Sequence, residues 1–296
     1  MREQPELQNF LFIGDGINVL KFMHDQGLKI VGAHVPDHIA HDVVSQVPIP
    51  NTHLLTTKQA LVKQIASSDF DVLVSCGHPH ILPISKLRKP HQSFVNVHSS
   101  ALPKLRGPYP LSGALLEGSG AGATLHHMND EIDAGPIVSQ LSIPVTPELD
   151  LGLLDHIVGN MQVRVLEMGL ERGFTENPEF EVSTSSESYY RIERKHLEID
   201  FLKATNDIIQ QIKAFSSKRI GARFRHRGDW FTVLRAEFLE NDYLRELHKD
   251  KENGEVICIY DSTVVMVKDS GFLKLQEVFT QNGQLNVGDN LITSNK

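Results

Sequence analysis

The chain has 296 residues, of which 40% are hydrophobic and 22% charged, and its formal net charge is −8. This length is enough for a full core, and we expect one large and one small domain. The acidic balance argues against a general nucleic-acid binder, because phosphate contacts need a basic face. With no apolar run of about 18 residues and a mostly polar start, we expect a cytoplasmic protein without membrane insertion or export.

The first part of the chain alternates short apolar runs with amphipathic helical patterns. Strands are expected at 10–13, 29–35, 52–55 and 71–75, with helices at 17–26 and 58–67 between them. This alternation predicts an α/β fold with a doubly wound, mostly parallel, Rossmann-like sheet.

A glycine pair after the first strand, Gly14 and Gly16, invites comparison with dinucleotide-binding fingerprints. Val19 occupies the position of the third glycine, and no acidic residue closes the second strand as that motif requires. NAD binding is therefore rejected, and a tight strand-to-helix turn accounts for both glycines.

The two cysteines, Cys76 and Cys258, lie far apart in the sequence. They make neither a disulfide framework nor a paired metal-binding motif, and we expect both to be reduced and buried. No metal site is predicted.

The segment 94–98, Phe-Val-Asn-Val-His, alternates at the end of an apolar run. As a strand it would carry Asn96 and His98, two residues apart, to the same face. Both side chains would lie at the carboxyl end of the strand, where open α/β sheets bind ligands.

Two further elements follow: Ser-Ala-Leu-Pro-Lys-Leu-Arg-Gly at 100–107 and Asp-Ala-Gly at 133–135. Together with Asn96-Val97-His98, this pattern resembles the 10-formyltetrahydrofolate-dependent formyltransferases, whose motif is Asn-x-His, Ser-Leu-Leu-Pro-(Lys/Arg)-x-Arg-Gly and Asp-x-Gly. Three linked elements in order are far more specific than a lone tripeptide. Ala101 replaces the usual Leu, and Pro108-Tyr109-Pro110 also departs from the pattern at the mouth of the site.

The resemblance implies that Asn96, His98 and Asp133 form the catalytic set. In formyl transfer an amine attacks the formyl carbon, an oxyanion forms, and the attacking nitrogen loses a proton. Asn96 can donate to the oxyanion, and His98 can polarise the same oxygen or accept the proton. Asp133 can hold the imidazole in one orientation, as the carboxylate of a hydrolytic triad does. His126 and His127, on the strand before Asp133, are interpreted as ordinary polar residues whose hydrogen bonds are satisfied.

The resemblance also implies 10-formyltetrahydrofolate as the formyl donor, with no metal. The loop at 76–83 ends in Ile-Leu-Pro, as does the loop that lines the pterin pocket in this family. A turn built from Pro and Gly is the alternative explanation of this loop. The residues expected to bind the donor are Gly77, Ile81, Leu82, Asp130 and Ile132.

Beyond the motif, the sequence predicts a strand at 136–144, a helix at 151–173 and an exposed linker at 176–190. The family resemblance resumes weakly with a crossing segment at 192–201 and a helix at 207–215. Alternating runs at 255–259, 264–268 and 272–278 predict a small β-rich, OB-like barrel. The expected domains are a catalytic domain at 1–174, a linker and crossing segment at 175–205, and a β-rich domain at 206–296.

The motif leaves the amine acceptor open. The family includes enzymes that act on glycinamide ribonucleotide, initiator methionyl-tRNA, amino-sugar nucleotides and siderophore precursors. Length argues against the first, and the immediate start of the first strand argues against formyltetrahydrofolate hydrolases, which carry an amino-terminal domain. A folate-binding protein with an inactive site would predict a substitution in the catalytic set, and all three residues are present.

A tRNA acceptor would require basic surfaces. Segment 36–42 carries no Lys or Arg, and residues 174–296 hold 17 Lys and Arg against 20 Asp and Glu. This acidic region contains one local group of cations: Lys218, Arg219, Arg223, Arg225 and Arg227. The group could bind a phosphate run or a pyrophosphate, or could be a solvated strand face. We therefore expect a nucleotide-linked amino sugar as the acceptor, with tRNA as the alternative and a homodimer left open.

Candidate substrate contacts are Ser99, Lys104, Arg106, Tyr109, Arg223, Arg225 and Trp230; Tyr189 and Tyr190 could also stack a base.

Overall fold

The computed structural model describes residues 8–37, 39–40, 47, 49, 51–54, 57–180, 191–218 and 220–293. The described residues form two compact units: one lies within 1–110, 119–144 and 155–190, the other within 111–118, 145–154 and 191–296. Most of the expected linker lies outside the described residues, as do Tyr189, Tyr190, Arg219 and part of the 36–42 segment.

A seven-stranded sheet organises the first unit, in the order β3-β2-β1-β4-β5-β6-β7. The strands are β1 (Asn9–Gly14), β2 (Lys29–Val35), β3 (Thr52–Leu54), β4 (Val72–Cys76), β5 (Ser93–His98), β6 (Gly122–His127) and β7 (Ile137–Ser142). Strands β1 to β5 pair in parallel, whereas β6 is antiparallel to both β5 and β7. This arrangement confirms the predicted mostly parallel, Rossmann-like sheet.

Along the chain, strands of this sheet are separated by helices α1 (Ile17–Asp25), α2 (Lys58–Ser67), α3 (Ile84–Leu87) and α4 (Pro110–Glu117), and α5 (Leu151–Glu171) follows β7. All of α4 after Pro110 and the start of α5 belong to the second unit. The Thr57 side chain caps α2 by accepting a hydrogen bond from the Ala60 N–H at 3.2 Å, which satisfies one of the unpaired donors of the first turn. The apolar face of this helix packs on the sheet through Leu61 and Ile65, in one core cluster with Leu11.

The strand order reverses between β1 and β4. In open α/β sheets the crevice at such a point, outside the carboxyl ends of the strands, is where ligands bind. All five residues of β4 are buried, as expected for a strand covered on both faces. The neighbouring β5 carries Asn96 and His98 toward this same edge.

The second unit contains α6 (Arg194–Leu197), α7 (Thr205–Ala214), β8 (Ala222–His226), β9 (Asp229–Leu239), α8 (Asp242–Leu247), β10 (Val256–Tyr260), β11 (Thr263–Lys268) and β12 (Gly271–Thr280). Its five strands form an antiparallel sheet in the order β10-β11-β12-β9-β8, which confirms the predicted β-rich domain. Among the described strands no ladder joins β8 to β10, so the sheet is open along that line. None of the helices described here is long and apolar enough to cross a membrane.

The prediction that both cysteines are buried is wrong for Cys258. Cys76 is buried, and this burial raises the pKa of its thiol, with the Asp15 carboxylate adding to the effect. Cys258 is exposed and lies where the pairing of β10 with β11 shifts register. Such an irregularity breaks the regular alternation of inward and outward side chains along the strand.

Candidate active site

Strands β5 and β6 bring the central polar side chains together. Asn96 pairs directly with His126, and His98 pairs with Thr124, across the antiparallel ladder. Directly paired residues point to the same face of a sheet, with Cβ atoms roughly 5 Å apart. The register of these two strands therefore sets an amide beside an imidazole.

Asp133 reaches this face through the loop that follows β6. The loop passes close over the end of that strand: a Cβ on Gly135 would lie 1.7 Å from the His127 carbonyl oxygen. Asp133 itself adopts a φ of +48°, in the left-handed region where side chains other than Gly, Asn and Asp are uncommon. Its carboxylate is held by the Gly107 N–H, which donates to Oδ2 at 2.8 Å.

The three predicted residues converge. His98 Nδ1 lies 3.6 Å from Asp133 Oδ2, and Asn96 Nδ2 donates to Asp133 Oδ1 at 3.3 Å. The side chains of His98 and Asp133 are only 8% and 13% exposed. A buried imidazole and a half-buried amide and carboxylate therefore share one small polar cluster at the edge of the sheet.

The pKa of the Asp133 carboxyl is held well below its usual value. Burial opposes ionisation, but the facing imidazoles of His98 and His126 and the hydrogen bond from the Gly107 N–H together outweigh it. The group is therefore a carboxylate throughout the neutral range.

The second ring nitrogen of His98 is also engaged. Nε2 lies 3.0 Å from the Leu105 carbonyl oxygen, and Leu105 presents that oxygen from a backbone with φ of +57°. Both ring nitrogens therefore face oxygen acceptors, and a ring protonated at both positions can donate to each.

His126 belongs to the cluster, which differs from the expectation of an ordinary satisfied polar residue. Its Nδ1 lies 2.9 Å from the His127 carbonyl oxygen, and its Nε2 lies 3.2 Å from Asn96 Nδ2. A tautomer that donates through Nδ1 leaves Nε2 as an acceptor for the Asn96 amide. The available signal was the pairing of β5 with β6, which places residue 126 opposite residue 96.

The loop after β4 carries the expected donor-binding residues Gly77, Ile81 and Leu82. Gly77 has a φ of +67°, and a Cβ there would lie 1.7 Å from Asp15 Oδ1, so no larger residue fits without displacement. Ile81 is 56% exposed, whereas Leu82 is buried in the core. Because its side chain is buried, Leu82 can contact a ligand only through its backbone, whereas the side chain of Ile81 is accessible.

Asp130 and Ile132 lie on the loop that carries Asp133. Asp130 is exposed; hydrogen bonds from Ser85, whose N–H donates to Oδ1 at 3.0 Å, lower its pKa. The Ile132 carbonyl accepts a bond from Arg106 Nε at 2.9 Å. The two loops flanking the cluster are therefore joined at this point.

The expected substrate contacts of the first unit differ in accessibility. Tyr109 is 50% exposed, and Lys104 is also exposed, with Nζ 3.5 Å from Ser119 Oγ. Ser99 Oγ accepts a bond from Gln162 Nε2 at 2.8 Å. Arg106 differs from the others because it is buried, with only 8% exposure.

The other expected substrate contacts, Arg223, Arg225 and Trp230, lie on β8 and β9 of the second unit. The Arg223 guanidinium stacks 4.6 Å above the Trp230 ring, while Arg225 is exposed and donates from Nε to the Gly228 carbonyl at 3.3 Å. The expectation that Arg227 continues this strand face is wrong. Arg227 lies in the β8–β9 turn with a φ of +49°, and its Nη2 pairs with Asp289 at 2.6 Å.

Away from the cluster, a cavity of about 380 Å³ lies against β1 to β3 and α2. Its lining includes His34 and His53, whose rings stack with centroids 5.1 Å apart. Burial, with a contribution from His53, lowers the pKa of His34 to about 4. None of the predicted site residues lines this cavity, and no group of ligands able to hold a metal ion occurs in the described part of the chain.

The first unit thus carries an amide, an imidazole and a carboxylate clustered at the carboxyl edge of a Rossmann-like sheet. Residues 24–167 match the sequence model of the formyl transferase family. Over these residues, which make up just under half of the chain, the protein is similar to the formyl transferase family.

Among curated relatives, methionyl-tRNA formyltransferase of Listeria monocytogenes is 31% identical over 178 residues. That alignment covers 57% of this chain and 55% of the relative, so the chain spans about half the length of the curated relatives it matches.

Two solved structures share the fold at low sequence identity. HypX from Aquifex aeolicus, crystallised with tetrahydrofolic acid, superimposes with a TM-score of 0.67 at 16% identity, over 94% of this chain and 45% of that one. The N-formyltransferase from Helicobacter canadensis, in complex with folinic acid and dTDP-3-aminofucose, gives a TM-score of 0.65 at 16% identity. That match covers 92% of this chain and 100% of the other.

Proposed function

We propose that this protein transfers a formyl group from 10-formyltetrahydrofolate to the primary amine of a nucleotide-linked amino sugar. The observation that carries the reaction is the convergence of Asn96, His98 and Asp133 at the edge of the sheet, with His98 Nδ1 3.6 Å from Asp133 Oδ2. Formyl transfer needs a donor for a developing oxyanion and a group that manages the proton of the attacking amine. This cluster contains both.

Asn96 is the oxyanion donor in this proposal. Its amide donates one N–H to Asp133 Oδ1 at 3.3 Å and directs the other toward His126 Nε2 at 3.2 Å. Both distances are at the long end of the range for hydrogen bonds. One of these bonds can therefore be exchanged for a bond to the formyl oxygen as negative charge develops there.

His98 acts on the same oxygen and on the amine proton. The attacking nitrogen forms a bond to the formyl carbon, the bond from that carbon to the folate nitrogen breaks, and the proton lost by the amine ends on the departing nitrogen or in solvent. For Nε2 to take part, its contact with the Leu105 carbonyl at 3.0 Å must be replaced by one to substrate. Asp133 stabilises a positively charged ring through Nδ1.

The donor would be held by Gly77, Ile81, Leu82, Asp130 and Ile132. The exposed side chain of Ile81 offers apolar surface at the end of β4 for a flat ring. The backbone of Leu82 and the Asp130 carboxylate can supply polar contacts, as is usual in pockets that fix a cofactor by a few polar groups.

A sugar nucleotide is favoured as acceptor by two features. The H. canadensis enzyme, whose complex contains dTDP-3-aminofucose, is covered over its entire length by the structural match to this chain. The second unit offers a cation and an aromatic ring together, Arg223 above Trp230, a combination suited to a phosphate and a stacked base. Ser99, Lys104 and Tyr109 are the proposed contacts of the first unit.

Initiator methionyl-tRNA is the second candidate, because the curated relatives include methionyl-tRNA formyltransferases. Residues 174–296 carry more Asp and Glu than Lys and Arg, which is unfavourable for a partner that is held through phosphates. A small amine such as a siderophore precursor and a homodimeric assembly are further alternatives.

The test is release of tetrahydrofolate from 10-formyltetrahydrofolate in the presence of a panel of acceptors. The panel contains sugar nucleotides with amino groups at position 3 or 4 and, beside them, charged initiator methionyl-tRNA. Turnover with a sugar nucleotide alone supports the proposal; turnover with tRNA alone supports the second candidate. Turnover with neither overturns both acceptors.

A further inference from the structure

Two consecutive residues of the turn after β5 hold two consecutive residues of the loop after β6. Arg106 Nε donates to the Ile132 carbonyl at 2.9 Å, and the Gly107 N–H donates to Asp133 Oδ2 at 2.8 Å. The residue before them, Leu105, contacts His98 Nε2 through its carbonyl oxygen at 3.0 Å. One tripeptide thus touches both sides of the His98–Asp133 pair.

The setting of Arg106 suits a structural anchor better than a substrate ligand. An arginine that binds a substrate phosphate presents its guanidinium to solvent until the substrate arrives. Arg106 is only 8% exposed and uses its Nε on a backbone carbonyl of the neighbouring loop. Burying a guanidinium is costly unless its donors are satisfied within the protein.

The loop that Arg106 anchors needs such support. Asp133 has a φ of +48°, and residues in this region persist where surrounding contacts hold them. Ile132, whose carbonyl Arg106 fixes, is the residue immediately before it. A change in the direction of that carbonyl rotates the Ile132–Asp133 peptide and with it the carboxylate.

We propose that Arg106 is a positioning residue, which fixes the Asp133 loop so that its carboxylate faces His98, and that it does not bind the acceptor. This inference rests on the proposed function for its kinetic consequences. Its geometric consequence, the orientation of Asp133, is independent of which reaction the protein performs.

Three substitutions separate hydrogen bonding from charge. Arg106→Gln places an N–H donor the same number of bonds from the backbone as arginine Nε, but without the charge. Arg106→Lys keeps the charge but carries its nitrogen one atom further out, and Arg106→Met keeps the side chain as far as the position of Nε, with neither donor nor charge. Arg172→Met, at an exposed arginine of the same unit, is the matched control.

The first readout is steady-state formyl transfer with the acceptor found active in the panel. We expect kcat to fall about 10- to 100-fold in Arg106→Met and Arg106→Lys, the loss typical for the partner that orients a functional group. Arg106→Gln should stay within about 3-fold of wild type, with KM for both substrates nearly unchanged throughout. If the KM for the acceptor rose in Arg106→Gln and Arg106→Met but stayed at the wild-type value in Arg106→Lys, the charge of Arg106 would be needed for substrate binding. That result would overturn the proposal. Wild-type rates in all three variants would overturn it as well.

The second readout needs no turnover: ¹³C NMR of the Asp133 carboxyl carbon as a function of pH. In the wild type this carboxyl has a pKa well below its usual value. Arg106→Met and Arg106→Lys should raise that pKa toward the ordinary range, because Asp133 turns away from His98 and Gly107, whereas Arg106→Gln should not. If Arg106→Met does not fold, the same contrast is measured between Arg106→Lys, in which the pKa of Asp133 should rise, and Arg106→Gln, in which it should not.

This second readout distinguishes failure of the inference from failure of the proposed function. A protein that transfers no formyl group can still show the shift at Asp133, which supports the positioning role alone. An unchanged pKa in folded Lys and Met variants overturns the inference even in an active formyltransferase.

Discussion

Asn96 and His126 face each other across the β5–β6 ladder, and Asn96 Nδ2 lies 3.2 Å from His126 Nε2. The imidazole thereby fixes the amide that is proposed to donate to the oxyanion. In His126→Leu the amide loses this acceptor, and we expect kcat to fall roughly 10-fold or more. His126→Gln places an oxygen the same number of bonds from the backbone as Nε2 and should retain most of the activity. Equal rates for the Leu and Gln variants would show that the contact does not matter.

The strongest effects on activity are expected at His98 and Asn96. His98→Asn should abolish turnover, because the Asn96 amide can still donate to the formyl oxygen but an amide cannot accept the proton of the attacking amine. Asn96→Ala should lose about 10²- to 10³-fold in kcat, as removal of an oxyanion donor does. Circular dichroism and thermal unfolding check that both variants fold. Retained activity in folded His98→Asn would refute the mechanism.

Gly135 is expected to be intolerant of any side chain. A Cβ would lie 1.7 Å from the His127 carbonyl oxygen, and a backbone atom cannot move aside as a flexible side chain can. Gly135→Ala should reduce the free energy of unfolding by about 2–4 kcal/mol in urea titrations. Gly152→Ala is the control, since its Cβ would meet only Asp150 Oδ1 at 3.5 Å; a similar loss there would contradict the steric account.

The protein should lose stability on mild acidification because of His34, which is buried, and His78, which is partly buried. Burial lowers the pKa of His34 and of His78 to about 4, with the neighbouring histidines contributing. The unfolded chain binds protons at these positions near pH 6.5, whereas the folded protein does so only near pH 4. Stability is therefore present in full above about pH 6.5 and falls as the pH drops toward 4, by about 1 kcal/mol per histidine after allowance for solvent screening.

Urea unfolding at pH 7 and pH 5 measures this loss. His34→Gln and His78→Gln should each reduce the difference between the two pH values, whereas His91→Gln, at an exposed histidine, should leave it unchanged. The pH dependence would have another origin if neither of the first two substitutions altered it.

Substitution of the cations on β8 tests the acceptor. Arg223 stacks on Trp230 and lies 3.9 Å from Glu198, while Arg225 is exposed on the same strand. Replacing both arginines with Ala should raise the KM for a phosphate-bearing acceptor about 10-fold with little change in kcat. Arg245→Ala, on α8, is the control. An unchanged KM would assign Arg223 and Arg225 to the ordinary solvated surface.

The sheet of the first unit and the positions of Asn96 and His98 follow from local patterns. Buried apolar runs define β1, β4 and β5, and a period of two fixes which side chains share a face. The proximity of His126 and the burial of Arg106 depend on strand register and on contacts between loops. Those contacts join residues 26 or 30 positions apart, and no local pattern encodes them.

The second unit was less predictable. The eleven-residue strand β9 was not predicted, because its polar and apolar residues do not alternate regularly. Arg227 follows Arg223 and Arg225 at a spacing of two but lies in a turn with positive φ, where the alternation of the strand no longer applies. Cys258 is exposed for a related reason, the register shift in β10.

The most direct test of the central claim follows the formyl carbon itself. The protein is mixed with 10-formyltetrahydrofolate labelled with ¹³C in the formyl group and with each amino-sugar nucleotide of the panel in turn, and the label is traced by NMR. We predict that it appears in a new amide on the sugar nitrogen, in equal amount to the tetrahydrofolate released. Label recovered as formate, or left on the donor with every amino-sugar nucleotide tried, would contradict the account.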